Sequence, residues 1–240
     1  YREILGIYPG RTERTVEIDA DRLATLRQLL DPIDPEALRA WSAKVLAQPV
    51  HSLLGPLGPF VDRLSERLDK RVDFRVLGAD LCTDPDAIQP ALGVLSHLIR
   101  NAMDHGLEAE HERGSKPAVG SLELRFAESA HSLIVEVEDD GRGIDIARIR
   151  ERALQVGVLE PDAGPDLDGE ELVPMIFVDG VSSKAEVTDT SGRGVGMSAV
   201  RDVMQLAGGT VRVHTEAKTL RLRPLIGCRI ELVEGLNFFA

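Results

Sequence analysis

Apolar and polar residues alternate along Val72 to Leu77, Leu122 to Phe126 and Leu133 to Val137, whereas along Pro85 to Gly106 apolar residues recur every three or four positions. The first period is that of a half-buried strand and the second that of an amphipathic helix. The same reading predicts helices over Ile146 to Val156, Glu170 to Phe177 and Gly196 to Leu206, and strands over Thr210 to Thr215 and Ile226 to Val233. Because no helix separates the last two strands, the expected class is α+β: a mixed, largely antiparallel sheet covered by helices on one face.

Upstream the pattern is helical. Leucines 23, 26, 29 and 30 fall on one face, and Asp34-Pro35 has the form of a cap followed by proline at the first helical position, opening a helix to about Gln48. From His51 to Lys70 the apolar stripe Leu53, Leu54, Leu57, Phe60, Val61, Leu64, Leu68 is interrupted at Gly55-Pro56 and Gly58-Pro59. It either covers its own domain's core, the commoner outcome, or packs on a partner helix. Residues 1–49 are therefore read as a leader, with a β-like run at Thr15 to Ile18, plus a helical, dimerisation-like segment; residues 50–240 are read as the α/β domain.

Forty acidic against 28 basic residues give a formal net charge of -12, so the overall field repels nucleic acid, and no such partner is expected. A polyanion such as ATP must then be held locally, by backbone N–H groups, a metal ion or a few placed cations. Cys82 and Cys228 lack both a disulfide framework and zinc-ligand spacing, which fits reducing cytoplasm. No apolar run approaches the roughly 20 residues of a membrane span. The chain starts at Tyr1 and is expected to be a piece of a longer protein, whose parent is free to be membrane-associated.

Four segments carry chemistry. In His97-Leu98-Ile99-Arg100-Asn101-Ala102-Met103-Asp104-His105-Gly106, residues 97, 101 and 104 share one helical face and offer an imidazole, a carboxamide and a carboxylate, a set able to hold a hydrated magnesium ion and its phosphates. Taken alone, a solvated face ending in a Gly106 cap is an equal reading. In Val135 to Ile144 a strand runs into Asp139-Asp140-Gly141-Arg142-Gly143. A carboxylate fixed there can accept from an exocyclic amine such as adenine's, and the glycines admit a flat ring, although acidic glycine turns also serve as plain strand exits. Asp189-Thr190-Ser191-Gly192-Arg193-Gly194-Val195-Gly196-Met197 places alternate glycines before a helix, where freed N–H groups favour phosphate; a flexible linker is the duller alternative. Ile176 to Lys184 is a helix end breaking into a polar glycine turn, suited either to a lid or to a surface loop.

In order and spacing these segments resemble the N, G1, F and G2 boxes of the GHKL ATPase superfamily, shared by histidine kinases, gyrase-type ATPases, Hsp90 and MutL. The strings His97 to Gly106 and Ser191 to Met197 resemble its CheA class in particular, and the resemblance covers about residues 50 to 235. It implies a Bergerat-type α/β sandwich, ATP and Mg2+ as cofactors, and histidine protein kinase activity. Position by position, it makes Asn101 the magnesium and phosphate ligand, with His97 a helper and second metal contact on the same face. Arg100 stands where gyrase-type relatives keep a water-activating glutamate, which implies phosphoryl transfer to a protein over hydrolysis. Asp104 and His105 lie beside the phosphates; Asp139 reads adenine; Gly141, Gly143 and Ile144 shape its pocket. Ser182, Ser183 and Lys184 line one edge of the lid, and Ser191, Gly192, Arg193, Gly194, Val195, Gly196 and Met197 its phosphate side.

The implied partners are a histidine phosphotransfer domain acting in trans, a response regulator indirectly, a coupling protein and receptor array through parts outside this chain, and a second copy of the chain as a homodimer. Departures from the family pattern are Gly180-Val181-Ser182-Ser183 in place of Gly-Phe-Ser-Thr, Ser198 in place of aspartate, Ser115 in place of glycine before Lys116-Pro117, and Gly227-Cys228 in place of a glycine-threonine turn. His51-Ser52-Leu53-Leu54-Gly55 mimics an acceptor string, but Leu54 replaces its lysine, and a solvated histidine is the stronger reading. Two other functions stay open: an ATP-sensing module without phosphoryl transfer, and a GHKL serine kinase or ATPase.

Overall fold

A computed structural model describes residues 18–30, 35–129, 132–160, 167, 169–181, 196–215 and 228–235. The β-like run at Thr15 to Ile18 and the Asp34 cap lie largely outside them. Helix α1 (Ala20–Leu29) starts where the Asp19 carboxylate accepts from Arg22 N at 2.8 Å, and it buries no side chain. Helix α2 (Pro35–Leu46) opens on proline as expected. Two short elements follow, β1 (Gln48–Pro49) and α3 (Val50–Leu53), and the chain then turns at Gly55 (φ 55°) into α4 (Leu57–Leu68).

Only the first Gly-Pro pair breaks the predicted stripe. Gly58-Pro59 sits inside the first turn of α4, where a missing N–H loses no helical bond. Leu57, Val61 and Leu64 are buried, so α4 covers the core of its own domain.

The main sheet has the order β2-β4-β5-β7-β6, formed by β2 (Val72–Leu77), β4 (Gly120–Ser129), β5 (Ser132–Asp139), β6 (Thr210–Thr215) and β7 (Cys228–Gly235). Only β2 and β4 are parallel, which agrees with a mixed, largely antiparallel sheet. A separate ribbon pairs β1 with β3 (Cys82–Thr83); strands of two residues are too short for periodicity to reveal. Leu122, Leu124 and Phe126 on β4 and Leu133, Val135 and Val137 on β5 face the core, joined there by Leu95, Leu98 and Ile99 of α5 (Pro85–Asn101) and by Val200 and Met204 of α8 (Met197–Leu206). The other face is polar: Arg125 bridges Glu136, its cross-strand partner, at 3.5 Å and also pairs with Glu123.

Between these lie α6 (Ile146–Gln155), capped by Asp145, and α7 (Gly169–Leu172), which tightens into a 3-10 turn over Val173–Phe177. The predicted helix from Glu170 to Phe177 is corrected in this way because Pro174 cannot donate to an α-helical bond. The predicted helix to Gly106 is corrected too. Beyond Asn101 the backbone widens into a π turn, Ala102–Gly106, closed by Leu107 N donating to Ala102 O at 2.7 Å. Among the described residues, no helix is long and apolar enough to cross a membrane.

Candidate functional site

On β5 the core-facing positions 133, 135 and 137 are apolar, and two residues on the alternation delivers Asp139 to the same face. A carboxylate, 6% exposed, thus emerges inside the layer between sheet and helices, at the strand end paired with Leu122 and Cys228. Its Oδ1 accepts from Gly141 N at 3.0 Å.

Two glycines close on it. A Cβ at Gly106 would lie 2.8 Å from Asp139 Oδ1, and one at Gly141 would lie 2.2 Å from the Gly106 carbonyl and 2.7 Å from Asp139 Oδ1. Arg142 N donates to Gly106 O at 2.9 Å. The end of the helical motif and the glycine turn are therefore one unit around a single carboxylate. Gly143 holds φ at 70°, which favours glycine, and Ile144 packs against the core.

On α5 the i, i+4 spacing brings His97 and Asn101 together. Asn101 Nδ2 donates to His97 Nε2 at 3.0 Å and points to Met197 Sδ at 3.5 Å, so the start of α8 meets the end of α5 here. With its amide nitrogen so engaged, Asn101 has its carbonyl Oδ1 left to meet a cation. Burial, aided by the positive charge of Arg100, lowers the His97 pKa to about 4, so the imidazole is neutral at pH 7 and can accept. Asp104 is half-buried and His105 exposed on the π turn.

Arg100 points to a different wall. Its guanidinium carbon is 5.9 Å from the centroid of Phe60, and it lines a cavity of about 290 Å3 with Phe60, Arg63, Leu64 and Arg67, between α4 and α5. Gly196 stands at the N-cap of α8 and Met197 is buried behind Asn101. Ser182, Ser183, Lys184 and Ser191 to Val195 lie outside the described residues. His51, exposed on α3, has Nδ1 3.2 Å from Ala79 O and 3.6 Å from an Asp80 carboxylate oxygen. Among the described residues no group of three or more His, Cys, Asp and Glu side chains has metal-site geometry.

Sequence reasoning missed Lys70. Its ammonium, half-buried at the end of α4, donates to Met103 O (2.7 Å), Asp104 O (3.2 Å) and Leu107 O (2.8 Å), and so caps the π turn. It also missed the charged residues Glu108 and Arg113, and it read Asp140 only as part of the acidic glycine turn and Lys116 only as part of a variant string. The available signal was the charge density of residues 108–116 ahead of an Asp-Asp-Gly turn.

Residues 88–233 match the model of the family described as histidine kinase-, DNA gyrase B-, and HSP90-like ATPase. The chain is 34% identical over 216 residues to chemotaxis protein CheA of Bacillus subtilis (89% of this chain, 32% of that protein) and 33% identical over 196 residues to chemotaxis protein CheA of Treponema pallidum (80% and 24%). It is also 34% identical over 168 residues to a gliding motility regulatory protein of Myxococcus xanthus (68% and 22%). It spans a third or less of the length of each of these curated relatives. The match covers both the Asp139 turn and the His97–Asn101 face, and with them the chain belongs to the histidine kinase-, DNA gyrase B-, and HSP90-like ATPase family, within its CheA-type branch.

Proposed function

We propose that this chain is a histidine protein kinase core that binds Mg-ATP and transfers the γ-phosphoryl group to a histidine of a separate phosphotransfer domain. The observation that carries this reading is the pairing of a buried, glycine-flanked carboxylate with a neutral His97–Asn101 pair. The donor set fits the nucleotide: a carboxylate suits an exocyclic amine, and an amide carbonyl suits a hard cation.

Asp139 accepts from the adenine amine, and Gly106 and Gly141 leave room for the ring. His97 holds the Asn101 carboxamide by its nitrogen, so Asn101 would hold a magnesium ion through Oδ1, and the ion would supply neutralisation of phosphate charge. Gly196 and the N-terminus of α8 contribute partial positive charge to the phosphate end. Asp104 and His105 border that end, and Gly143 and Ile144 border the base; Ser182 to Lys184 and Ser191 to Val195 are assigned to nucleotide contact on their sequence motifs alone. Transfer breaks the bond between the β,γ-bridging oxygen and the γ-phosphorus, joins that phosphorus to an imidazole nitrogen, releases the nitrogen's proton and leaves ADP.

The wider assignment follows the CheA-type relatives: residues 50–240 form the catalytic domain, and residues 1–49 form a leader and a helical segment whose exposed leucines serve a homodimer. The phosphotransfer domain passes the group to a response regulator, a coupling protein and receptor array govern the parent protein, and the setting is the cytoplasm. Incubating the chain with γ-labelled ATP and a CheA phosphotransfer domain tests the reading. Acid-labile label on that domain is expected; acid-stable label, or hydrolysis without transfer, contradicts it.

A further inference from the structure

Among the described residues only two charged side chains belong to buried residues, Asp139 and Arg113, and both serve the same turn. Arg113 follows a short 3-10 turn (Glu110–Glu112), yet its side chain is 1% exposed. A buried guanidinium is costly unless every donor finds an acceptor. Here Nη2 donates to Asp140 Oδ2 at 2.6 Å, Nη1 to Glu108 Oε2 at 3.3 Å and Nε to the Pro117 carbonyl. The other Asp140 oxygen accepts from Ser121 N at 2.8 Å, and Asp140 N donates to Ser121 O at 3.1 Å.

Lys116 completes the arrangement. Its Nζ donates to Glu108 Oε1 (2.9 Å), Asp140 O (2.9 Å) and Gly141 O (2.7 Å). An ammonium has three N–H groups, so Lys116 keeps none for a ligand. Burial alone would push the Glu108 carboxyl up, but the hydrogen bond and charge of Lys116, with the charge of Arg113, hold it below its ordinary range and therefore ionised. The bonds run in series: Lys116 fixes the carbonyls of Asp140 and Gly141, and Gly141 N fixes Asp139 Oδ1.

We propose that Lys116 and Arg113, bridged by Glu108, are positioning residues that set the direction of the Asp139 carboxylate and so determine discrimination among purine bases. They touch no substrate themselves. The inference rests on Asp139 reading adenine, and it predicts an effect on base selectivity with little effect on phosphate chemistry.

The test compares ATP with inosine triphosphate, in which a carbonyl replaces the 6-amine. Affinities of both with magnesium are measured by calorimetry for the unmodified chain, Asp139→Asn and Lys116→Met. In Lys116→Met the preference for ATP is expected to shrink by about tenfold, through loss of ATP affinity while that for inosine triphosphate holds. KM for ATP in phosphoryl transfer then rises far more than kcat falls. Equal weakening of both nucleotides, the mark of a merely structural role, overturns the proposal, as does an unchanged preference. Absence of any preference in the unmodified chain overturns the adenine reading together with this inference. If circular dichroism shows Lys116→Met unfolded, Lys116→Arg replaces it: a planar fork keeps the charge but cannot place three donors on these three oxygens, and a smaller loss of selectivity is expected. Retained selectivity in Lys116→Arg contradicts the proposal equally.

Discussion

Asp139 is 6% exposed, and the turn around it is bonded to residues 106, 113, 116 and 121. At the other end of the site, His97, Asn101 and Asp104 are half-buried and His105 is exposed; there the Asn101 amide nitrogen bonds to His97 Nε2 and points to Met197 Sδ. The proposed base end is thus prebuilt by backbone and buried charge, so its substitutions should damage ligand choice and fold together. The proposed phosphate end consists of side chains at the end of α5 and on the π turn, beside the start of α8, so its side-chain substitutions should damage chemistry while sparing the fold.

The largest expected effect is at the base end. Gly141→Ala would bring a methyl group within 2.2 Å of the Gly106 carbonyl, which cannot yield without moving the π turn. A loss of roughly 2–4 kcal/mol of stability is expected, together with ATP binding. Thermal melts and calorimetry check this, and a stable variant that binds ATP would show that the two loops are not one unit.

Next in size is Asn101→Ala. Phosphoryl transfer should fall by about 10²–10³-fold, whereas stability should change by no more than about 1 kcal/mol. Rates of acceptor labelling and a melting curve give the two numbers, and comparable damage to both would erase the contrast between the ends.

A pH titration sharpens it further. His97 is neutral in the folded chain down to about pH 4, but in the unfolded chain it takes up a proton near 6.5. Between those values the unfolded state holds more protons, so the nucleotide-free, chelator-treated chain should lose on the order of 2–4 kcal/mol as pH falls from 6.5 to 4. Urea unfolding across this range should be flatter in His97→Gln.

The smallest effect is expected at Lys70, which touches the site only through backbone carbonyls. Lys70→Met should cost about 1 kcal/mol and raise amide exchange over Met103 to Leu107, with ATP affinity changed by about threefold or less.

How much of this was legible follows from how each part is encoded. The strand over Val72 to Leu77, the order of the four motifs and the carboxylate at the end of β5 all follow from periods of 2 and 3.6, which local sequence records. The π turn was not legible, because Ala102 to Gly106 keeps a helical pattern while the backbone gains one residue in its last turn. The Glu108–Arg113–Lys116–Asp140 network was not legible either, since its bonds span 5 to 27 residues and link an irregular segment to a strand end. Arg100 sits next to Asn101 in sequence, but one step along a helix turns a side chain by about 100°. That step carries it toward Phe60.

The division of the site into a base end and a phosphate end is tested most directly by titrating ATP, with magnesium and with chelator, into Asp139→Asn and Asn101→Ala. Asp139→Asn should lose affinity to a similar degree in both conditions. Asn101→Ala should bind like the unmodified chain in chelator and gain little from magnesium. An Asn101→Ala variant that keeps the full gain from magnesium, or an Asp139→Asn variant that binds ATP as tightly as the unmodified chain, would contradict the account.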